Sequence, residues 1–186
     1  MDLYCVMGPP GAGKTTQAAL LAAAWGLPHV SAGEVVRDAK AAGERVPRDP
    51  ADKALAEPGW IVERLRASAG AVPVLIIDGF PRHVGHLAVL PHLGTCRALI
   101  RLVLPYELAI SRMRQRGREG EDLGRISHRR FLYDWREKEL LAAAATAGIP
   151  RIDLDGDRGA QVIQMELQEA LRPLASPESA MSSTAP

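Results

Sequence analysis

Short, almost wholly apolar runs alternate with longer stretches of helical periodicity along this chain. The runs at 3–7, 28–30, 72–77, 98–104 and 149–154 have the length of strands, and the segments between them predict helices over 14–25, 33–42, 59–69, 105–116, 125–147 and 159–171. Gly26, Gly43, Gly70 and Gly148 each follow an alanine-rich or charged run, as C-terminal caps do. Val74, Leu75, Ile76 and Ile77 have no polar alternate, so their strand is expected in the middle of a sheet covered on both faces. Strands taking turns with helices predict an α/β fold, a parallel five-stranded sheet wrapped by helices. Two stretches fit neither period: 44–58, rich in proline and charge, and 117–124, rich in glycine and acid. Both are expected to be mobile surface pieces. The small polar residues of 176–186 predict a disordered tail.

Composition narrows this picture. With 186 residues, 47% of them hydrophobic, the chain can build one compact domain over 1–175 with a small insertion. The 23 Lys and Arg against 22 Asp and Glu leave no global field that would draw a nucleic acid. Cys5 and Cys96 lie far apart in apolar runs and form no Cys-x-x-Cys pair, so both are expected as reduced core thiols. The start, Met1 to Met7 running at once into glycine and proline, lacks the basic and longer apolar parts of a secretory signal, and no window approaches a membrane span. A cytoplasmic protein without membrane contact is expected.

Chemistry enters at Gly8-Pro9-Pro10-Gly11-Ala12-Gly13-Lys14-Thr15, which fits G-x-x-x-x-G-K-[ST] between a predicted strand and a predicted helix. Glycines let backbone N–H groups converge on phosphate oxygens while the helix turns its positive end toward them. Lys14 adds charge at the β- and γ-phosphates, and the Thr15 hydroxyl can hold Mg²⁺. Asp78, delivered by the central strand to the sheet edge where open α/β sheets bind ligands, can orient Mg²⁺ directly or through water. These elements indicate a nucleoside triphosphate site, which a nucleotide switch or a mechanical ATPase would share. Arginine placement discriminates further. Arg112 and Arg116 are four apart on one predicted helix, Arg125 and Arg129 on the next, with Arg118 between. Such a hairpin either clamps a transferring phosphoryl group or forms a solvated basic helix pair.

The chain resembles adenylate kinase and its nucleoside monophosphate kinase relatives in four segments. The first is the phosphate loop extended to Thr16, and the second is Ser31-Ala32-Gly33-Glu34-Val35-Val36-Arg37. The third is Asp78-Gly79-Phe80-Pro81-Arg82, and the fourth runs from Leu104 through Arg112, Arg116, Gly117, Glu121, Asp122, Ile126 and Arg129 to Tyr133. The resemblance covers about residues 3–171 and implies a P-loop NTPase fold with an acceptor-side insertion at about 31–70 and a short lid at about 117–124. It implies ATP bound by residues 8–16 with Arg112 over the donor nucleotide, and a monophosphate held by Ser31, Ala32, Gly33, Arg37, Gly79, Arg82 and His86. Lys14, Arg82, Arg116, Arg118 and Arg129 are the implied catalytic set, with Arg118 and Arg129 also touching the acceptor. Asp155-Gly156 is similar to the family's short loop beside the donor adenine. Mg²⁺ accompanies ATP, and a monomer is implied.

Three single residues depart from the family pattern. Ala32 stands for the usual threonine, Glu34 for the usual aspartate, and His86 where a glutamine commonly meets the acceptor adenine. The insertion is short, with Glu57-Pro58-Gly59-Trp60-Ile61-Val62 in place of the family's Gly-x-Leu-Val-Pro, so Trp60 is either a base-stacking or a packing residue. His86 is equally open between a base contact and a surface histidine. The lid has no cysteine, so no structural zinc is expected there. The expected reaction moves the γ-phosphoryl group of ATP to a nucleoside monophosphate, AMP first. The competing readings are another nucleoside monophosphate, a small hydroxylated metabolite, and a binding module without turnover.

Overall fold

The computed structural model describes residues 1–117 and 122–174. The strands β1 (Asp2–Met7), β2 (His29–Ser31), β3 (Val74–Asp78), β4 (Thr95–Val103) and β5 (Arg151–Asp155) form one sheet in the order β2-β3-β1-β4-β5, with every pairing parallel. The helices are α1 (Lys14–Trp25), α2 (Ala32–Ala41), α3 (Pro58–Ala69), α4 (Val84–Val89), α5 (Tyr106–Arg116), α6 (Leu123–Thr146) and α7 (Ala160–Leu171). No helix among the described residues is long and apolar enough to cross a membrane.

Alternation along the strands builds two cores. Tyr4 and Val6 of β1, with Val74 and Ile76 of β3, pack on one face against Leu21 and Trp25 of α1 and Leu167 and Leu171 of α7. Leu3, Cys5 and Met7, with Leu75 and Ile77, face the other way against Leu65 of α3 and Leu140 and Ala144 of α6. The central strands are therefore apolar at every position, because each face meets helices. From β1 the chain crosses to β2 and β3 on one flank, then to β4 and β5 on the other. The carboxyl end of β1 is thus the point where the order reverses, and there open sheets bind ligands.

Two sequence expectations change. The short helix α4 has no bounded counterpart in the periodicity, since six residues with a glycine and a histidine give too little of a stripe to read. The stretch 44–58 is no loose surface piece: Asp49, Leu55 and Ala56 are buried, and Asp49 and Asp52 close turns by accepting the N–H groups of Ala51 and Ala54. Cys5 and Cys96 are both free thiols, 4.0 Å apart on neighbouring strands. The lid expectation falls partly, and the tail expectation wholly, outside the described residues.

Candidate active site

The loop after β1 turns into α1 at Gly13, whose φ of 85° lies in the left-handed region that other residues adopt only with strain. Lys14 opens the helix and folds back so that Nζ donates to the Pro9 carbonyl at 2.9 Å. Burial first, and then the charge of Arg82, push its pKa down to about 7; Asp78 opposes the shift while Arg129 and Arg116 add to it. Four cationic side chains from α1, α5, α6 and the β3–α4 loop thus act on one another across one small space.

Asp78 is placed by register. It pairs with Val6 on β1 and Ser31 on β2, so the ends of three strands meet beside the phosphate loop. The Thr15 hydroxyl donates to its Oδ1 at 3.3 Å, and His29 Nε2 meets its Oδ2 at 2.9 Å. Burial raises the Asp78 pKa, but His29, Ser31 and Lys14 outweigh that and hold it below the usual carboxylate value. A hydroxyl and an ionised carboxylate side by side at the mouth of a phosphate loop are hard oxygen donors that suit Mg²⁺, which binds few protein ligands and keeps waters.

After Asp78 the chain doubles back at Gly79, with φ of 74°, and Arg82 Nε donates to the Gly79 carbonyl at 2.7 Å. A Cβ at Gly79 would stand 3.0 Å from Arg82 Nη2, so a larger residue would displace the guanidinium. Arg82 and Arg37 both border two adjoining cavities of about 290 and about 380 Å³, as do Gly33, Gly79 and Arg129. The first cavity also contains Gly8, Pro10, Gly11, Lys14, Thr15, Ser31, Asp78 and Arg116; the second contains Ala32 and His86.

Most of the residues expected at the site therefore line these cavities. Pro9, Ala12 and Gly13 belong to the loop itself without lining either, and Thr16 is exposed on α1. Arg112 stands apart from both and donates from Nη1 to the Gly156 carbonyl at 2.7 Å, which joins it to the Asp155-Gly156 turn. Arg118 lies outside the described residues. His86 is no surface residue: it is 3% exposed, stacked on Phe80 with ring centroids 4.8 Å apart. Burial above all pushes its pKa down to about 4, so the ring is neutral. Nε2 donates to the Ala56 carbonyl at 3.1 Å and Nδ1 is shut off from solvent, so one ring nitrogen is engaged and the other buried. Trp60 lines neither cavity and packs against the core with Arg64 over its ring.

Several site residues had no signal in the sequence. His29 reaches Asp78 from 49 positions away. On α6, Arg136 is 9% exposed and grips Asp52 with both Nε and Nη2, while Glu137 accepts from Nε and Nη2 of Arg101, each at 2.7 Å, and from the hydroxyl of Tyr133. Burial raises the Glu137 pKa, but Arg101 and Tyr133 outweigh it, leaving an anion at the cavity wall.

A family model described as an AAA domain matches residues 7–128. The chain is 32% identical to "Adenylate kinase 1" of a Synechocystis species over 183 residues, 90% of this chain and 95% of that protein. It is 32% identical to the "Adenylate kinase" of Corynebacterium glutamicum over 147 residues, 69% of this chain and 77% of that protein. With the "Adenylate kinase" of an Anaeromyxobacter species the identity is 35% over 128 residues, 60% of this chain and 58% of that protein.

Proposed function

The chain belongs to the adenylate kinase family, and on that premise we propose that it transfers the γ-phosphoryl group of ATP to AMP, reversibly giving two ADP. The observation that carries the reading is the convergence of Lys14, Arg82, Arg116 and Arg129 where two cavities share a wall. One phosphate chain lies in the loop at 8–15, and the second phosphate lies opposite, between Arg37 and Arg82. Residues 31–70 form the acceptor-side insertion.

Phosphoryl transfer needs no side-chain nucleophile, because the acceptor phosphate attacks. The protein's part is alignment, worth roughly 7–11 kcal/mol when two reactants are held in attack geometry. Charge stabilisation is the other part, where one well-placed arginine contributes about 10³–10⁵ in rate. Lys14 meets the β- and γ-oxygens, Arg116 and Arg129 approach the transferring group from α5 and α6, and Arg82 holds the incoming phosphate in line. Thr15 and Asp78 would hold Mg²⁺, directly or through water, and the ion would supply neutralisation of the phosphate charge. Arg112, bonded to Gly156, forms one wall for the donor nucleoside. His86 borders the acceptor nucleoside with its ring rather than its nitrogens, and Ala32 brings no hydroxyl, so the base is selected mainly by shape.

That last feature favours testing other acceptors beside AMP. A coupled phosphotransfer assay with ATP and Mg²⁺ against AMP, CMP, UMP, GMP and dTMP, with an acceptor-free control, is expected to give fastest turnover with AMP and little hydrolysis. A different monophosphate in first place corrects the acceptor. ATP hydrolysis indifferent to every acceptor overturns the kinase reading.

A further inference from the structure

Behind the acceptor cavity, Asp49, His83 and His86 bring one ligating atom each to within 4.8 Å of one another. All three residues are at least nine-tenths buried, with exposures of 3%, 8% and 3%. Asp49 Oδ2, His83 Nε2 and His86 Nδ1 are also solvent-inaccessible and without a hydrogen bond. Polar atoms left without a hydrogen bond together in an interior are costly unless something meets them. His83 Nε2 and Asp49 Oδ2 stand 2.8 Å apart, yet without the alignment of a hydrogen bond.

The chemistry of the donors names what meets them. Because His86 Nε2 donates to the Ala56 carbonyl, Nδ1 must carry the lone pair, and that lone pair is the atom turned into the cluster. A ring fixed through its other nitrogen by a backbone carbonyl is the usual support of a metal-ligating histidine. Two imidazoles and one carboxylate suit zinc and its first-row neighbours rather than Mg²⁺ or Ca²⁺. We infer that Asp49, His83 and His86 bind a zinc-class divalent cation that ties the acceptor-side segment to the start of α4. Ligand atoms on tetrahedral zinc at about 2.0–2.2 Å bonds lie roughly 3.3 Å apart, so Asp49 and His83 part slightly. The His83 ring proton then resides on Nδ1, and the long 3.3 Å contact from the Gly85 N–H is given up to solvent. Water completes the coordination.

The site does not depend on the phosphotransfer reading, and its test needs no turnover. Chelator-treated, nucleotide-free protein is titrated with Co²⁺ and followed by visible absorption, then by displacement with Zn²⁺. One equivalent should produce the absorption of a low-symmetry four-coordinate site that Zn²⁺ abolishes, and Zn²⁺ should raise the melting temperature. Asp49→Asn and His83→Asn should each weaken Co²⁺ binding by at least about tenfold, with binding of a non-hydrolysable ATP analogue retained as the check that the variants fold. A wild type without a Zn²⁺-displaceable equivalent overturns the site, whether or not the variants fold. Unchanged absorption and affinity in both variants overturns it too, since the ion would then lie elsewhere, as at His29 and Asp78.

Discussion

Lys14 is the residue on which the triphosphate site turns, and its electrostatics make the site's pH response calculable. In the free protein its pKa is down at about 7, chiefly from burial and then from Arg82. Bound phosphates favour the charged amine and raise that pKa, so binding takes up a proton wherever the free lysine is neutral. Affinity for a non-hydrolysable ATP analogue should therefore be full below pH 7 and weaken as pH rises above it, by up to about tenfold per unit. Calorimetric titration of wild type and Lys14→Arg between about pH 6 and about pH 9 separates this from the ligand's own ionisation, because arginine stays charged. Equal profiles would remove Lys14 from the explanation. Lys14→Ala should lower kcat on the order of 10²–10³ with the fold intact, and near-normal turnover would sink its placement on the triphosphate. Arg82 belongs to the other side: Arg82→Ala should raise KM for the monophosphate far more than KM for ATP, and equal rises would count against an acceptor role.

Among the elements, α6 does the most joining. Arg129, Tyr133, Arg136, Glu137 and Leu140 recur at helical spacing, so one face carries cavity cations, a paired anion and a core leucine in succession. Arg136 reaches Asp52 in the acceptor-side segment, and the pair is nearly dry, with exposures of 9% and 13%. Removing one partner of such a pair strands the other: Asp52→Ala should cost about 3–5 kcal/mol in urea unfolding. Asp52→Ala with Arg136→Leu should lose much less, and equal losses would mean that the pair carries no burial penalty. This join also marks the limit of sequence reading. The phosphate loop and Asp78 to Arg82 were legible because each is a local device whose geometry is set by neighbouring residues. The Arg136–Asp52 and His29–Asp78 contacts were not, since they bridge 84 and 49 positions and leave no periodic trace. His86 was legible as a departure but not as a buried ring, because burial there is decided by Ala56 and Phe80 arriving from other elements. Helices α1 and α3 stood out because Gly26 and Gly70 stop their ends, whereas α4 is six residues long and runs straight into a short 3₁₀ turn.

For the whole molecule, the near-zero net charge hides an uneven distribution. The chain carries +1 formally, while among the described residues Lys14, Arg37, Arg82, Arg116, Arg129 and Arg136 border one cavity with Asp78 and Glu137. The fold gathers these cations because three strand ends, the α5–α6 pair and the acceptor-side segment all meet where the strand order reverses. Their repulsion is a standing cost to the folded state that a polyphosphate relieves. A ligand that binds only the folded state stabilises it by about 2.7 kcal/mol at a hundred times its Kd. For a chain of this size each kcal/mol moves Tm by about 2–4 °C, so saturating ATP should raise Tm by roughly 5–11 °C. Because the attraction is electrostatic and the cavity is open to water, the rise should shrink steeply as ionic strength approaches about 1 M, where screening acts over about 3 Å. Arg82→Ala should reduce the shift given by AMP while leaving most of that given by ATP, which separates the two phosphate positions without an activity assay. A shift independent of salt at a fixed ligand concentration would mean that binding rests on shape and apolar contact, and the gathered cations would then need another explanation.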